Sequence, residues 1–204
     1  MASSSIKYAG FTIAIYVSLF FSCKPPELSI TKLYWKKSRI EYYLNKGANK
    51  LSETVIRETM QTWSEKTHFD FFYMGRNGAG FKQDNKNTIS FLLEWPAGIS
   101  INHIAHTRHW YNGEGEIQEA DIAFNMQKTR FTTNRTQKKD WYVLEGVLSH
   151  EVGHLIGLDH STDPGSIMKQ KSPMKESYFK GKIDEETLSR YERKYSFIFQ
   201  NNSK

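Results

Sequence analysis

His150-Glu151-Val152-Gly153-His154-Leu155-Ile156-Gly157-Leu158-Asp159-His160 decides how the rest of the 204-residue chain is read. Residues four apart share one helix face, so His150 and His154 present two imidazoles to one point. Glu151 lies one step round the helix, within reach of the open side of an ion held there. Gly157 accepts positive φ without steric cost and can end the helix. The chain then turns back and brings His160 to the same point. Three neutral imidazoles with one open position describe a catalytic zinc site, whereas a structural site is closed by a fourth protein ligand. A plain surface helix with two histidines and a glutamate is the bland alternative. It leaves the glycine and the third histidine, both at set spacings, without a reason.

The stretch resembles the metzincin zinc-peptidase signature H-E-x-x-H-x-x-G-x-x-H. Ser161 after the third histidine is similar to the matrixin branch; astacins usually carry Glu there and adamalysins Asp. Asp163-Pro164-Gly165-Ser166-Ile167-Met168 resembles the matrixin run that ends in the Met-turn, which makes Met168 the Met-turn residue. Matrixins usually continue with Tyr-x-Pro or similar, and here Lys169-Gln170 follow, so the pocket wall behind the turn departs from the family. The resemblance spans residues 35–197 and is sharpest over 150–168. It implies an α+β, metzincin (zincin-like) fold: a twisted, mostly antiparallel five-stranded sheet with an active-site helix and a C-terminal helix. It also implies a zinc endopeptidase acting on proteins or peptides, with one catalytic zinc. Zinc in such a site acidifies its bound water and polarises the scissile carbonyl. Glu151 would take the water proton and deliver it to the leaving amine. An extended peptide would add antiparallel to the edge strand and lie over the zinc. The rival reading is a surface adhesin or binding module on a metzincin scaffold that no longer cuts. An intact Glu151 counts against it.

Composition bounds the rest. A hydrophobic fraction of 38% and a charged fraction of 25% describe a polar-surfaced globular protein of one domain. The net charge is +6. The basic residues are spread out and accompany no nucleic-acid motif, so a solvated basic surface is expected rather than a nucleic-acid partner. A monomer is the expectation. Phe11 to Phe21 is an apolar run too short for a comfortable membrane span. It fits the core of a signal peptide over 1–22. Cys23 is the lone cysteine, so no internal disulfide can form. A lone Cys directly after such a run resembles a bacterial lipoprotein cleavage site, although Phe20-Phe21-Ser22 departs from the usual box. The expectation is a lipid-anchored linker over 23–34, a peptidase domain over 35–204, and a location at the cell envelope or outside the cell. An ordinary secretory peptide with a stray Cys is the alternative.

In chain order, Arg39 to Leu44 reads as a strand and Ser52 as the cap of a helix running to about Lys66. Leu51, Val55, Ile56, Met60 and Trp63 recur at helical spacing and predict its core face. Strands are expected over His68–Tyr73, Thr88–Trp95, Ile101–Arg108 and Glu116–Asn125, with a loop over 75–87. Asp140 is the expected cap of the helix carrying Val143, Leu144, Val147, Leu148 and Leu155 on its apolar stripe. A basic loop from Lys169 to Lys182 follows; in matrixins this region borders the pocket that accepts the side chain after the scissile bond, and Lys169, Lys171 and Lys175 lie nearby in sequence. Asp184 to Thr187 starts a last helix, expected to end near Tyr195.

His103, His106 and His109 cluster near the fourth strand. His106 could match the middle ligand of the matrixins' second, structural zinc, but the upstream loop has no histidine and Ala123 stands at the matching place on the next strand. That second zinc is expected to be absent. Calcium stays open, because carbonyl ligands leave no sequence trace. The short stretch between Cys23 and Trp35 leaves no room for the latency prodomain that many matrixins carry.

Overall fold

The structure, a computed structural model, describes residues 33–133, 141–170 and 182–201. The expected signal segment, Cys23, the cap at Asp140, and Lys171 and Lys175 lie outside the described residues. The elements are β1 (Arg39–Asn45), α1 (Lys50–Lys66), β2 (Asp70–Asn77), β3 (Asn87–Leu92), β4 (Ala105–Tyr111), β5 (Ile117–Asn125), β6 (Phe131–Thr132), β7 (Tyr142–Val143), α2 (Leu144–Leu155) and α3 (Glu185–Asn201). No described helix is long and apolar enough to cross a membrane. Leu33 and Tyr34, expected in the linker, already pack on the domain. Leu33 is buried, and Tyr34 exchanges backbone hydrogen bonds with Gly115 and Ile117.

The α+β class and the five-stranded sheet are as expected, but the strand directions are not. The order is β2-β1-β3-β5-β4. β1 runs parallel to β2 and β3, and β3 runs parallel to β5; only β4 is antiparallel to its neighbour. The expectation of a mostly antiparallel sheet is therefore corrected to a mostly parallel one. Two connections cause this. α1 carries the chain from the end of β1 back to its start, as a parallel neighbour demands. The loop after β2 then passes to the far side of β1 instead of folding back as a hairpin. Only the turn at Asn112–Glu116, with Gly115 at φ 87°, makes a true hairpin, between β4 and β5.

Two buried acids on β5 hold that crossing loop. Glu119 accepts the amides of Asp84 and Asn85, and Asp121 accepts those of Lys82 and Thr88. Alternation alone would place such residues toward water, yet Glu119 and Asp121 are fully buried. Buried backbone amides need acceptors, and here side chains supply them.

Several boundaries move for local reasons. Asn49, not Ser52, caps α1: its Oδ1 accepts the Ser52 amide at 2.8 Å. Ile56, Met60 and Trp63 form the core face as expected, but Leu51 sits in the first turn and is 62% exposed. β4 begins at Ala105 rather than Ile101, because the buried Asn125 amide takes the carbonyls of Ile101 and His103. β3 stops at Leu92, and Leu93 points into solvent. The α3 helix runs on to Asn201. α1 docks on α2, where the Trp63 indole donates to Ser149 Oγ at 3.0 Å.

Burial pushes the Asp121 carboxyl up to about 8, against the pull of the Thr88 amide. An unfolded Asp ionises at about 4. Between those values the unfolded chain releases a proton that the folded chain keeps. This contribution to stability is therefore full below about 4 and is lost as pH rises through about 8. Urea unfolding followed from about pH 5 to about pH 9 should show falling stability, and Asp121→Asn should flatten that slope. An equal slope in both proteins would contradict the assignment.

Candidate active site

α2 delivers the first two histidines and then stops abruptly. Gly157 takes φ 78°, Leu158 N–H donates to the Gly153 carbonyl at 2.9 Å, and Gly157 N–H donates to the His154 carbonyl at 2.6 Å. This pair of bonds is the Schellman ending. A side chain at Gly157 would also overlap the Leu33 carbonyl, so glycine is required twice over. The last carbonyls of a helix lack partners within it. Here each of three is met from a different element. His109 Nε2 donates to His154 O, the Trp35 indole to Leu155 O, and the Tyr195 hydroxyl to Ile156 O, each at 2.8 Å. The helix end that aims the ligands is thus bolted to β4, to the chain before β1 and to α3.

The reversal brings His160 beside its partners. His154 Nε2 lies 3.0 Å from His150 Nε2 and 3.1 Å from His160 Nε2. His150 Nδ1 donates to the Ile167 carbonyl and His154 Nδ1 to the Leu158 carbonyl. A carbonyl can only accept, so Nδ1 carries the proton in both rings and Nε2 is left with a lone pair. Lone pairs facing one another at such distances repel unless a cation accepts them. The donor set therefore fits a metal ion, and this is the one group of three metal-ligating side chains found among the described residues. Burial lowers the pKa of His150, of His160 and, most strongly, of His154, where the neighbouring rings add to it. All three are held neutral, the form that ligates.

Glu151 sits behind these rings, 6% exposed. Burial pushes its carboxyl up to about 7, and a hydrogen bond from Thr107 pulls the other way. The Thr107 hydroxyl, on β4, donates to Glu151 Oε2 at 2.6 Å. Thr107 was invisible in the sequence, where it reads as one more strand residue.

Met168 is fully buried beneath α2, against Gly153. Its turn is fastened on both sides. Ser161 N–H donates to the Met168 carbonyl at 2.7 Å, and Ile167 N–H donates to Asp184 Oδ2 at 2.8 Å. α3 also reaches the third histidine's loop: Ser161 Oγ donates to Glu186, and Arg190 donates to the His160 carbonyl. Of the upstream histidines, His103 and His106 stay together, their ring centroids 5.7 Å apart, while His109 turns the other way. His106 packs on Phe81, on the face away from α2, with Arg108 over the same ring. His109 points at the end of α2. His103 precedes the strand and is exposed.

A methyl at Gly153 would overlap the Met168 sulfur. Gly153→Ala should cost about 1–3 kcal/mol by overpacking, and much less in a Met168→Ala background. Thermal unfolding of the four proteins measures this; an equal cost in both backgrounds would contradict the contact.

Comparisons with known proteins give the chain a family. The matrixin family profile matches residues 34–189. The chain is similar to human matrix metalloproteinase-20, 26% identical over 168 residues that cover 74% of this chain and 32% of that protein. It is similar to human neutrophil collagenase, 27% identical over 66% of this chain and 27% of the relative. It is also similar to karilysin of Tannerella forsythia, 22% identical over 66% of this chain and 28% of the relative. The matched part of the chain thus spans only 27% to 32% of the length of these curated relatives. The matched span contains the helix, its glycine stop and all three histidines, and by that match the chain belongs to the matrixin family.

Proposed function

We propose that the chain is a zinc-dependent endopeptidase in which His150, His154 and His160 hold the metal and Glu151 is the general base. The observation that carries this reading is the meeting of three imidazole nitrogens at 3.0 and 3.1 Å with a buried carboxylate on the same helix. Family membership supports it, since matrixins are zinc endopeptidases. A zinc ion in this site would supply Lewis-acid polarisation of a carbonyl and a more acidic water.

The residues do the rest. β4 lies at one end of the sheet order, and among the described residues no strand pairs with its outer edge. An extended peptide can add there by backbone hydrogen bonds, which brings its scissile carbonyl in front of the histidines. Glu151, desolvated and lifted to about 7, takes a proton from water and passes it to the departing amine. Met168 supports the floor of the site from beneath α2. Lys169 directly follows the Met168 turn, and some tolerance of acidic residues after the scissile bond is expected from it. Calcium has no acidic cluster to argue for it among the described residues. Secretion through the signal segment 1–22 and lipid attachment at Cys23, leading to anchoring at the cell envelope, belong to this proposal and rest on the sequence pattern alone.

Purified chain should hold one zinc, and His154→Ala should lose it together with thermal stability, because metal binding couples to folding. Glu151→Gln keeps the shape and removes the base. It should retain zinc and fold yet cut an unfolded protein substrate about 10²–10⁴-fold more slowly. A variant that cuts as fast as the wild type would remove Glu151 from the mechanism. A wild type that cuts nothing at full zinc loading would favour the binding-module reading.

A further inference from the structure

Resting on Glu151 as the base, we infer that Thr107 is a positioning residue that orients the Glu151 carboxylate, tying Oε2 to β4 and leaving Oε1 for the proton. Thr107 lies in the middle of β4, paired with Ile122 of β5. Its neighbours His106 and Arg108 turn to Phe81 on the other face, so Thr107 points at α2. It is 9% exposed, and two acceptors compete for its one proton. Glu151 Oε2 lies at 2.6 Å and the Glu151 carbonyl at 3.2 Å. The shorter, charge-assisted bond takes it. No other hydrogen bond reaches the Glu151 carboxylate from the described residues.

A buried carboxylate with no donor is free to rotate. Thr107 supplies the donor that holds it. Its β-branched side chain has few rotamers, and its backbone is held in the β4–β5 ladder, so the hydroxyl is a fixed point. The strand that offers its outer edge to a substrate is the strand that sets the direction of the base. Peptide and carboxylate are thereby referenced to the same backbone, which is the geometry a proton transfer needs.

The test uses the zinc-loaded full chain and three proteins: wild type, Thr107→Val and Thr107→Ser. The valine variant keeps the branched shape and loses the donor; the serine variant keeps the donor and loses the methyl. Thr107→Val should lower kcat about 10–100-fold, the scale expected for a misplaced reacting group, with KM and zinc content little changed. Thr107→Ser should recover most of the rate. A valine variant with wild-type kcat, or a serine variant as slow as valine, would overturn the inference. Should the wild type prove inert, the general-base reading fails, and Thr107 is then judged by crystal structures of the wild type and the valine variant. A Glu151 carboxylate that shifts or spreads over several conformers in the valine variant supports it; one that stays in place overturns it.

Discussion

Three imidazole nitrogens meet at one point, the lone pairs of His150 and His154 repel there, and much of the described structure holds the rings in place. His150 and His154 are kept in the required tautomer by the carbonyls of Ile167 and Leu158. His160 arrives only because α2 stops at Leu155 and the chain reverses at Gly157. That stop leaves carbonyls which would be costly to bury unpaired. Trp35 and Tyr195 meet those of Leu155 and Ile156, and His109 is a second donor to the His154 carbonyl beside Gly157 N–H. Three distant parts of the chain are thus committed to one helix end, and displacing any of them would disturb the ligands through the carbonyl it caps.

The same economy appears on the sheet. β5 is buried along nearly its whole length, and its polar residues work inward. Glu119 and Asp121 secure the loop that crosses β1, while Asn125 secures the segment leading into β4. The second of these places β4, and β4 in turn carries Thr107 to Glu151 and His109 to α2. α3 and the residue before it complete the enclosure: Asp184 fixes the Met168 turn, and Glu186 and Arg190 reach Ser161 and His160. The loop that carries His160 and Met168 is thus fixed by bonds to the helices on either side of it.

The site was legible in the sequence because its information is local. The spacing from His150 to His160 states helix, stop and return within eleven residues, and Ile56, Met60 and Trp63 state a helix face just as briefly. The strand directions were not legible. They depend on which side of β1 the chain chooses after β2, and that choice is secured by Glu119 and Asp121, acidic residues that alternation alone would turn to solvent. Thr107 was hidden for a related reason, since its role depends on β4 lying across α2. At α1 the sequence reading chose Ser52, but Asn49 is the cap, because its side chain accepts the amide three residues on.

The central claim is a three-histidine centre with an open position. Zinc K-edge X-ray absorption on chain loaded with one equivalent of metal tests it most directly. The account predicts three nitrogen neighbours at about 2.0–2.1 Å, with the multiple-scattering pattern of imidazole, plus oxygen from solvent. A fourth imidazole, or a sulfur neighbour at about 2.3 Å, would mean a closed site and would contradict it.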